Sequence, residues 1–250
     1  MIKKLKTTVI VDDYAQAPFM AEHGLAFWIE ADSTRILFDT GRGDALPKNA
    51  ERLGIDLHDA DIVVVSHGHY DHTGGLAHVI GRDSEQPPHV YFHKDMMQPR
   101  YSMTTGTPRN IGIAKDDAAL IARLPPEKRH PTTSVTQLGA GGAWLTGQVP
   151  RNTDFEDVGG AFFLDSAGTT PDPIEDDISM WFETAAGLVV CLGCCHSGVV
   201  NTLTHIAKTA DDSRFAAVIG GMHLLHPDQR RLQATAKILQ QMHIQRIHPC

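Results

Sequence analysis

Cysteine is scarce and badly placed for a disulfide framework. The 250 residues hold four, three of them crowded at Cys191, Cys194 and Cys195 and the fourth at Cys250. A reducing cytoplasm is the compartment this usage points to. Long apolar runs are also missing. A membrane helix needs about 18 or more consecutive apolar residues, and no stretch approaches that. The opening Met1-Ile2-Lys3-Lys4-Leu5-Lys6 carries charge with no apolar segment behind it, so no secretory leader and no membrane partner are expected. Excess positive charge is absent too: 22 Lys and Arg stand against 30 Asp and Glu, a formal net charge of −8. Phosphate backbones recruit basic surfaces, so a small molecule rather than nucleic acid is the expected partner. The 42% hydrophobic and 21% charged fractions are ordinary for a globular chain and argue against disorder. Histidine is the exception, with 15 copies. It is the commonest metal ligand and the usual acid or base near neutral pH, so its clustering decides what the chain can do.

Strands are predicted at Thr7–Val11, Leu25–Ile29, Arg35–Phe38, Asp61–Val65, Val90–Phe92, Val135–Leu138 and Ala143–Leu145. Ile178–Glu183 and Leu188–Leu192 read as a hairpin around Ala186-Gly187, followed by strands at Phe215–Ile219 and Ile244–Ile247. Helices are expected over Ala45–Leu53, stopped by Gly54, from Leu76, over Gly198–Lys208, and over Asp228–Met242 with Leu232, Ala236 and Leu239 as its apolar spacing. Met96–Asn110, rich in Pro, Thr and Gly, reads as a long functional loop. With no repeat of fixed period and no linker, the tally is a helix-covered sheet sandwich in one domain.

The chemistry concentrates in His67-x-His69-x-Asp71-His72, directly after the apolar Asp61–Val65. In extended backbone, residues two apart point the same way, which pairs His67 and His69 as imidazole ligands. Asp71 and His72 follow a turn and can face a second position. Imidazole and carboxylate suit zinc, iron or manganese, and four donors within six residues suit two adjacent metals better than one. His58, His78, His89, His130, His205, His226 and His243 sit in polar contexts and read as surface residues, while His93 follows a strand and could line a pocket. Cys191 and Cys194 read as core, whereas Cys195, beside His196, could sit near metal. Arg109 and Arg151 are candidates, by charge type, for gripping an anionic substrate.

With Asp39-Thr40-Gly41 upstream, this motif resembles the metallo-β-lactamase superfamily. Ala21-Glu22-His23-Gly24-Leu25, Thr146-Gly147-Gln148-Val149-Pro150-Arg151, Gly193-Cys194-Cys195-His196-Ser197-Gly198 and Gly220-Gly221-Met222-His223-Leu224 resemble one branch of it, metal-dependent hydrolases akin to a dihydropterin ribofuranosylaminobenzene phosphate synthase. The resemblance implies an αββα fold, two face-to-face sheets with helices outside. It implies His196 as a further metal ligand, His223 as ligand or substrate contact, His23 near the site, and Asp39 as the carboxylate that orients the ligand loop. Many members carry a bridging aspartate where this chain reads Gly193-Cys194-Cys195-His196, so a second metal would be held differently here. The branch also continues past its last strand with His-Cys-Thr-Gly, whereas this sequence stops at Ile247-His248-Pro249-Cys250; residues 1–250 are read as one domain, with C-terminal truncation as one reading.

The implied activity is hydrolysis by a metal-bound hydroxide, with Asp71, His72 and Asp39 in catalytic roles, one or two divalent metals (zinc, with manganese or iron as alternatives), and a small phosphate- or carboxylate-bearing, pterin-related substrate. Two other readings stand beside it. An iron-dependent redox enzyme has against it His69, where that branch favours a carboxylate, and the lack of a flavin module. A non-catalytic metal- or small-molecule-binding module would follow if a ligand is missing.

Overall fold

The computed structural model describes residues 1–81, 86–139, 141–224 and 228–250. Two six-stranded sheets face each other. The first takes β1 (Leu5–Val11), β2 (Ala26–Ala31), β3 (Thr34–Phe38), β4 (Ile62–Val64), β5 (His89–His93) and β8 (Arg129–Thr132) in that order. The second runs β9 (Thr136–Leu138), β10 (Ala143–Leu145), β12 (Met180–Thr184), β13 (Gly187–Leu192), β14 (Phe215–Gly220) and β15 (Ile247–Pro249). Each begins antiparallel and ends parallel: β3, β4, β5 and β8 run parallel, as do β13, β14 and β15. A small third sheet joins β6 (Tyr101–Ser102), β7 (Arg109–Asn110) and β11 (Phe162–Phe163).

The strands read as nearly continuous apolar runs because both of their faces are covered. Alternation along β2 sends Phe27 and Ile29 between the sheets, against Met180 and Phe182, while Trp28 joins the outer core. That outer core packs Leu37, Val63 and Val65 against α1 (Ala45–Leu53) and α3 (Lys115–Arg123). On the far side, Leu188, Val190 and Leu192 meet α4 (Val199–Ala210), with α5 (Gln229–Gln241) more loosely applied. The order of layers is helix, sheet, sheet, helix. Truncating Phe27 or Phe38, both fully buried, would cost about 3–5 kcal/mol. No helix of the described residues is long and apolar enough to cross a membrane.

Several elements depart from the sequence expectation. Leu76 opens only a single 3-10 turn, Leu76–His78, boxed between Gly74-Gly75 and Gly81. Met96–Asn110 is not a plain loop: it carries β6 and β7, which pair with each other, and β6 pairs in turn with β11. Helix α3 and strand β8 occupy stretches left unassigned, and β8 tolerates Pro131 because it is an edge strand. In α5 Arg231 and Thr235 are buried and Leu239, with Ile238, packs against the core as expected, whereas Leu232 and Ala236 are exposed. The buried Arg231 pairs with Asp157. The last strand forms two to three residues later than expected. His226 lies outside the described residues.

Candidate metal centre

Each parallel half of the sandwich delivers functional residues from the carboxyl ends of its strands, where such sheets present binding groups. Asp39 follows β3, the stretch Ser66–His72 follows β4, Cys194 and His196 follow β13, and His223 follows β14. The turns needed to aim them are strained. Asp39 (φ 60°), Cys195 (φ 61°) and His223 (φ 48°) all take the left-handed backbone that non-glycine residues avoid. Gly193 has no alternative: a Cβ there would lie 2.4 Å from Ser66 Oγ, so only glycine lets the end of β13 reach the ligand loop.

Asp39, fully buried, organises the centre. Its Oδ1 accepts from Ser66 N at 2.6 Å, and its Oδ2 accepts from Ser66 Oγ at 2.7 Å and His72 Nδ1 at 2.7 Å. Ser66 Oγ has then given away its proton and accepts from His67 Nδ1 at 2.9 Å. These partners place a proton on Nδ1 of both rings: His67, which stays neutral, keeps a bare Nε2, while the Nε2 of His72 is turned to Cys194. His67 Nε2 lies 2.9 Å from His69 Nδ1, so two rings aim a nitrogen at one point. His196 donates Nδ1–H to Val158 O at 2.7 Å, which leaves its Nε2 bare as well. Among the described residues His196 Nε2 is buried with no hydrogen-bond partner, and so is His69 Nε2, the nitrogen of that ring that does not face His67, a costly arrangement for a polar atom.

Two groups of donors converge. His67, His69 and His196 each offer an atom within 4.8 Å of the others, and so do His67, His72 and Cys194. In the second group, His72 Nε2 is already 3.1 Å from Cys194 Sγ and 3.6 Å from Asp71 Oδ2. Burial, reinforced by neighbouring imidazoles, holds His67, His69 and His196 well below the usual histidine pKa, so they stay neutral, the form that ligates. Burial alone would lower His72 too, but Cys194, Asp39 and Asp71 around it outweigh that and carry it well above. Burial pushes the Cys194 thiol up.

The cavity beside these donors is lined by His23, Asp71, Arg109, Phe162, Cys194 and His223, among others. His23 spans from Asp13 Oδ1 (3.1 Å) to Asp71 Oδ2 (3.4 Å). Its neighbour Glu22 anchors that segment, accepting backbone N–H from Arg42, Gly43, Asp44 and Ala45 at the start of α1. Arg109 lies over the Tyr70 ring at 5.3 Å and donates to its hydroxyl at 3.0 Å. The ring of His223 sits 4.6 Å from that of His196, beside the donor groups rather than in either.

Of the residues singled out in the sequence, His67, His69, Asp71, His72, His196, His223, Asp39, His23 and Arg109 are brought together. Arg151 is not: it donates to Ile174 O at 3.0 Å and does not line the cavity. Nor does His93, whose Nδ1 accepts from Asp95 N. The sequence reading missed Cys194 as a donor and Ser66 as the link between Asp39 and His67. Cys194 had a signal, its position where relatives of the resembled family place an aspartate; Ser66 had none.

The match to known proteins agrees with this arrangement. A model of the metallo-beta-lactamase superfamily matches residues 21–199. A 7,8-dihydropterin-6-methyl-4-(β-D-ribofuranosyl)-aminobenzene-5'-phosphate synthase of Methanocaldococcus jannaschii is 28% identical over 260 aligned residues, covering 98% of this chain and 86% of the relative. The uncharacterized protein MJ0448 of the same organism is 31% identical, over 87% of this chain and 78% of its own. Among solved structures, Tm1679, a metal-dependent hydrolase of the β-lactamase superfamily, superposes with a TM-score of 0.81 at 30% identity, covering 99% of this chain and 88% of that one.

Proposed function

Since the chain belongs to the metallo-beta-lactamase superfamily, we propose that it is a metal-dependent hydrolase acting on a small anionic substrate, a phosphate ester or carboxylate with pterin-like compounds in its range. The observation that carries this reading is a ring of buried, neutral imidazoles in which His67 Nε2 and His69 Nδ1 face each other at 2.9 Å and His196 Nε2 is buried with no hydrogen-bond partner among the described residues. A divalent cation fits such a donor set and satisfies what the protein leaves open. His67, His69 and His196 would hold one cation, and His72 and Cys194, with Asp71 beside them, a second. Zinc is the first choice for a set of imidazoles and a thiol, with manganese and iron as competitors. When bound, such cations polarise substrate oxygens and acidify water enough to make a nucleophile near neutral pH.

The chain's own residues supply the rest. Asp39 holds the His72 Nδ1 proton and keeps Nε2 turned to the cavity. Asp71, deep in the site, meets the half-exposed His23, so a proton leaving Asp71 Oδ2 has a path through the imidazole towards Asp13 and solvent. Arg109, steadied on Tyr70, offers its remaining guanidinium donors to a substrate anion. Phe162 packs against His69 and His196 and keeps water from that side. The branch relative is named as a pterin-related synthase and the solved neighbour as a hydrolase, which supports the substrate class and the reaction class respectively.

The test joins metal analysis to turnover. Elemental mass spectrometry should find zinc or manganese, and a generic aryl phosphodiester should be hydrolysed with chelator-sensitive rates. Iron without hydrolysis would favour a redox role. A protein that retains no metal and turns nothing over would overturn the reading in favour of a binding module.

A further inference from the structure

Behind the ligand loop lies a cluster of charge that the proposed chemistry does not use. Arg100 is 1% exposed, Asp172 4% and Asp176 0%. The guanidinium pairs with both carboxylates, Nη1 to Asp172 Oδ2 at 3.0 Å and Nη2 to Asp176 Oδ1 at 2.7 Å. Asp176 turns its other oxygen, Oδ2, to the backbone N–H of Gly68 at 2.8 Å. Gly68 is the residue between His67 and His69, and a Cβ there would lie 2.1 Å from Met96 O, so the loop is pressed against the start of the cap segment. Arg100 also opens that segment. Its carbonyl accepts from Ile111 N at 2.9 Å, and Ile111 O in turn accepts from Tyr70 N at 2.9 Å, just past His69. Asp172 Oδ1 accepts from Ile174 N at 2.8 Å, and Ile174 has a left-handed backbone (φ 50°). One guanidinium thus ties together the cap, the crossover before β12 and the loop between two imidazole donors.

A buried ion network of one cation and two carboxylates is a poor way to add stability, because desolvation offsets most of the attraction; apolar packing would do as well. Its value here is positional. We infer that Arg100 and Asp176 are positioning residues, which set the separation of His67 and His69 by clamping the Gly68 amide and so determine metal affinity. The inference rests on the reading of His67 and His69 as metal ligands. It assigns Asp172 a different part: that carboxylate steadies Arg100 and the Ile174 turn but does not touch the ligand loop.

The discriminating experiment is zinc affinity, measured on folded apo-protein by competition with a chromophoric chelator, for wild type, Asp176→Asn and Asp172→Asn. In Asp176→Asn the amide cannot both accept from Gly68 N–H and receive the Arg100 guanidinium. Zinc affinity is expected to fall about tenfold or more, as for other groups that orient ligands from behind. Asp172→Asn should lower thermal stability yet leave zinc affinity within about threefold, because Asp176 still bridges Arg100 and Gly68. Equal affinities for wild type and Asp176→Asn overturn the proposal, as does an equal loss in both variants. If Asp176→Asn does not fold, Asp176→Glu, which keeps the charge but displaces the carboxylate, is expected to show the same loss; unchanged affinity in that variant overturns it equally. A wild-type protein that binds no zinc instead overturns the functional reading, so the two failures are distinguishable.

Discussion

The two donor groups share His67 but are built in opposite ways. In the first, His67 Nε2 faces His69 Nδ1 at 2.9 Å, His196 Nε2 is buried with no partner among the described residues, and burial keeps the rings neutral. In the second, His72 is held at Nδ1 by Asp39 and its Nε2 already meets Cys194 Sγ. The first position is therefore left with unmet bonding capacity at His196 Nε2 that a ligand can satisfy. The other is satisfied internally, and a cation entering it must displace a thiol–imidazole contact and the thiol proton. The contrast teaches that preorganisation alone does not rank two sites: what the donors do without a ligand matters as much. The first position is expected to be the tighter.

The largest effect on that contrast comes from the shared residue. His67→Ala removes a donor from both groups, and the variant should retain no metal through desalting, as read by elemental analysis. His69→Ala combined with it can be no worse. Next comes Asp71→Asn. The amide keeps the size but loses the charge beside His72 and the partner of His23, so hydrolysis of an aryl phosphodiester in excess metal should fall by about a hundredfold or more, while one metal per chain remains. Near-normal turnover with a single metal would remove the second position from the chemistry. Asp39→Asn should act more gently and on one side only. It frees the His72 ring and breaks the Ser66 bridge, weakening the second position by about ten- to a hundredfold, with the first less affected. An equal loss at both positions would mean that Asp39 acts through His67 by way of Ser66 instead.

How much of this could be read in the sequence depends on distance along the chain. The donors from His67 to His72 are local, and a strand followed by a turn is enough to aim them. The partner of Ser66 and His72 is not local. Asp39 lies 27 residues before Ser66, and only the parallel pairing of β3 with β4 brings it alongside. The reading of Cys194 as core treats it as a continuation of the apolar strand before it. β13 ends at Leu192, and the left-handed Cys195 turns the chain so that Cys194 faces the cavity. Arg151 was chosen on charge alone, yet a backbone carbonyl takes it up. The face of α5 is legible only in part: Leu239 packs inward, but the buried places one and two turns earlier go to Thr235 and to Arg231, which pairs with the distant Asp157. The cap escaped notice because its strands are only two residues each, and its central strand β6 pairs with β11, about sixty residues further on.

The smallest effect is expected from a control far from both groups. Asp117, in the first turn of α3, has its pKa raised to about 6 by burial, with Asp116 adding to it. The folded protein therefore holds that proton more tightly than the unfolded chain. The resulting stability is fully present below the unfolded carboxyl pKa near 4 and is lost as pH rises through about 6. Asp117→Asn removes the ionisation. It should stabilise the protein by about 1 kcal/mol near pH 8, after allowing for solvent screening, and by nothing near pH 4. Thermal melts at the two pH values test this, and zinc binding should be indifferent to the change.

Titration of metal-free protein with zinc, followed by calorimetry near pH 7.5, tests the inequality of the two positions most directly. Two steps of different affinity are expected, with the tighter step abolished by His196→Ala and the weaker one by Cys194→Ala. Two equal steps, or a tighter step that survives His196→Ala and disappears with Cys194→Ala, would contradict that inequality.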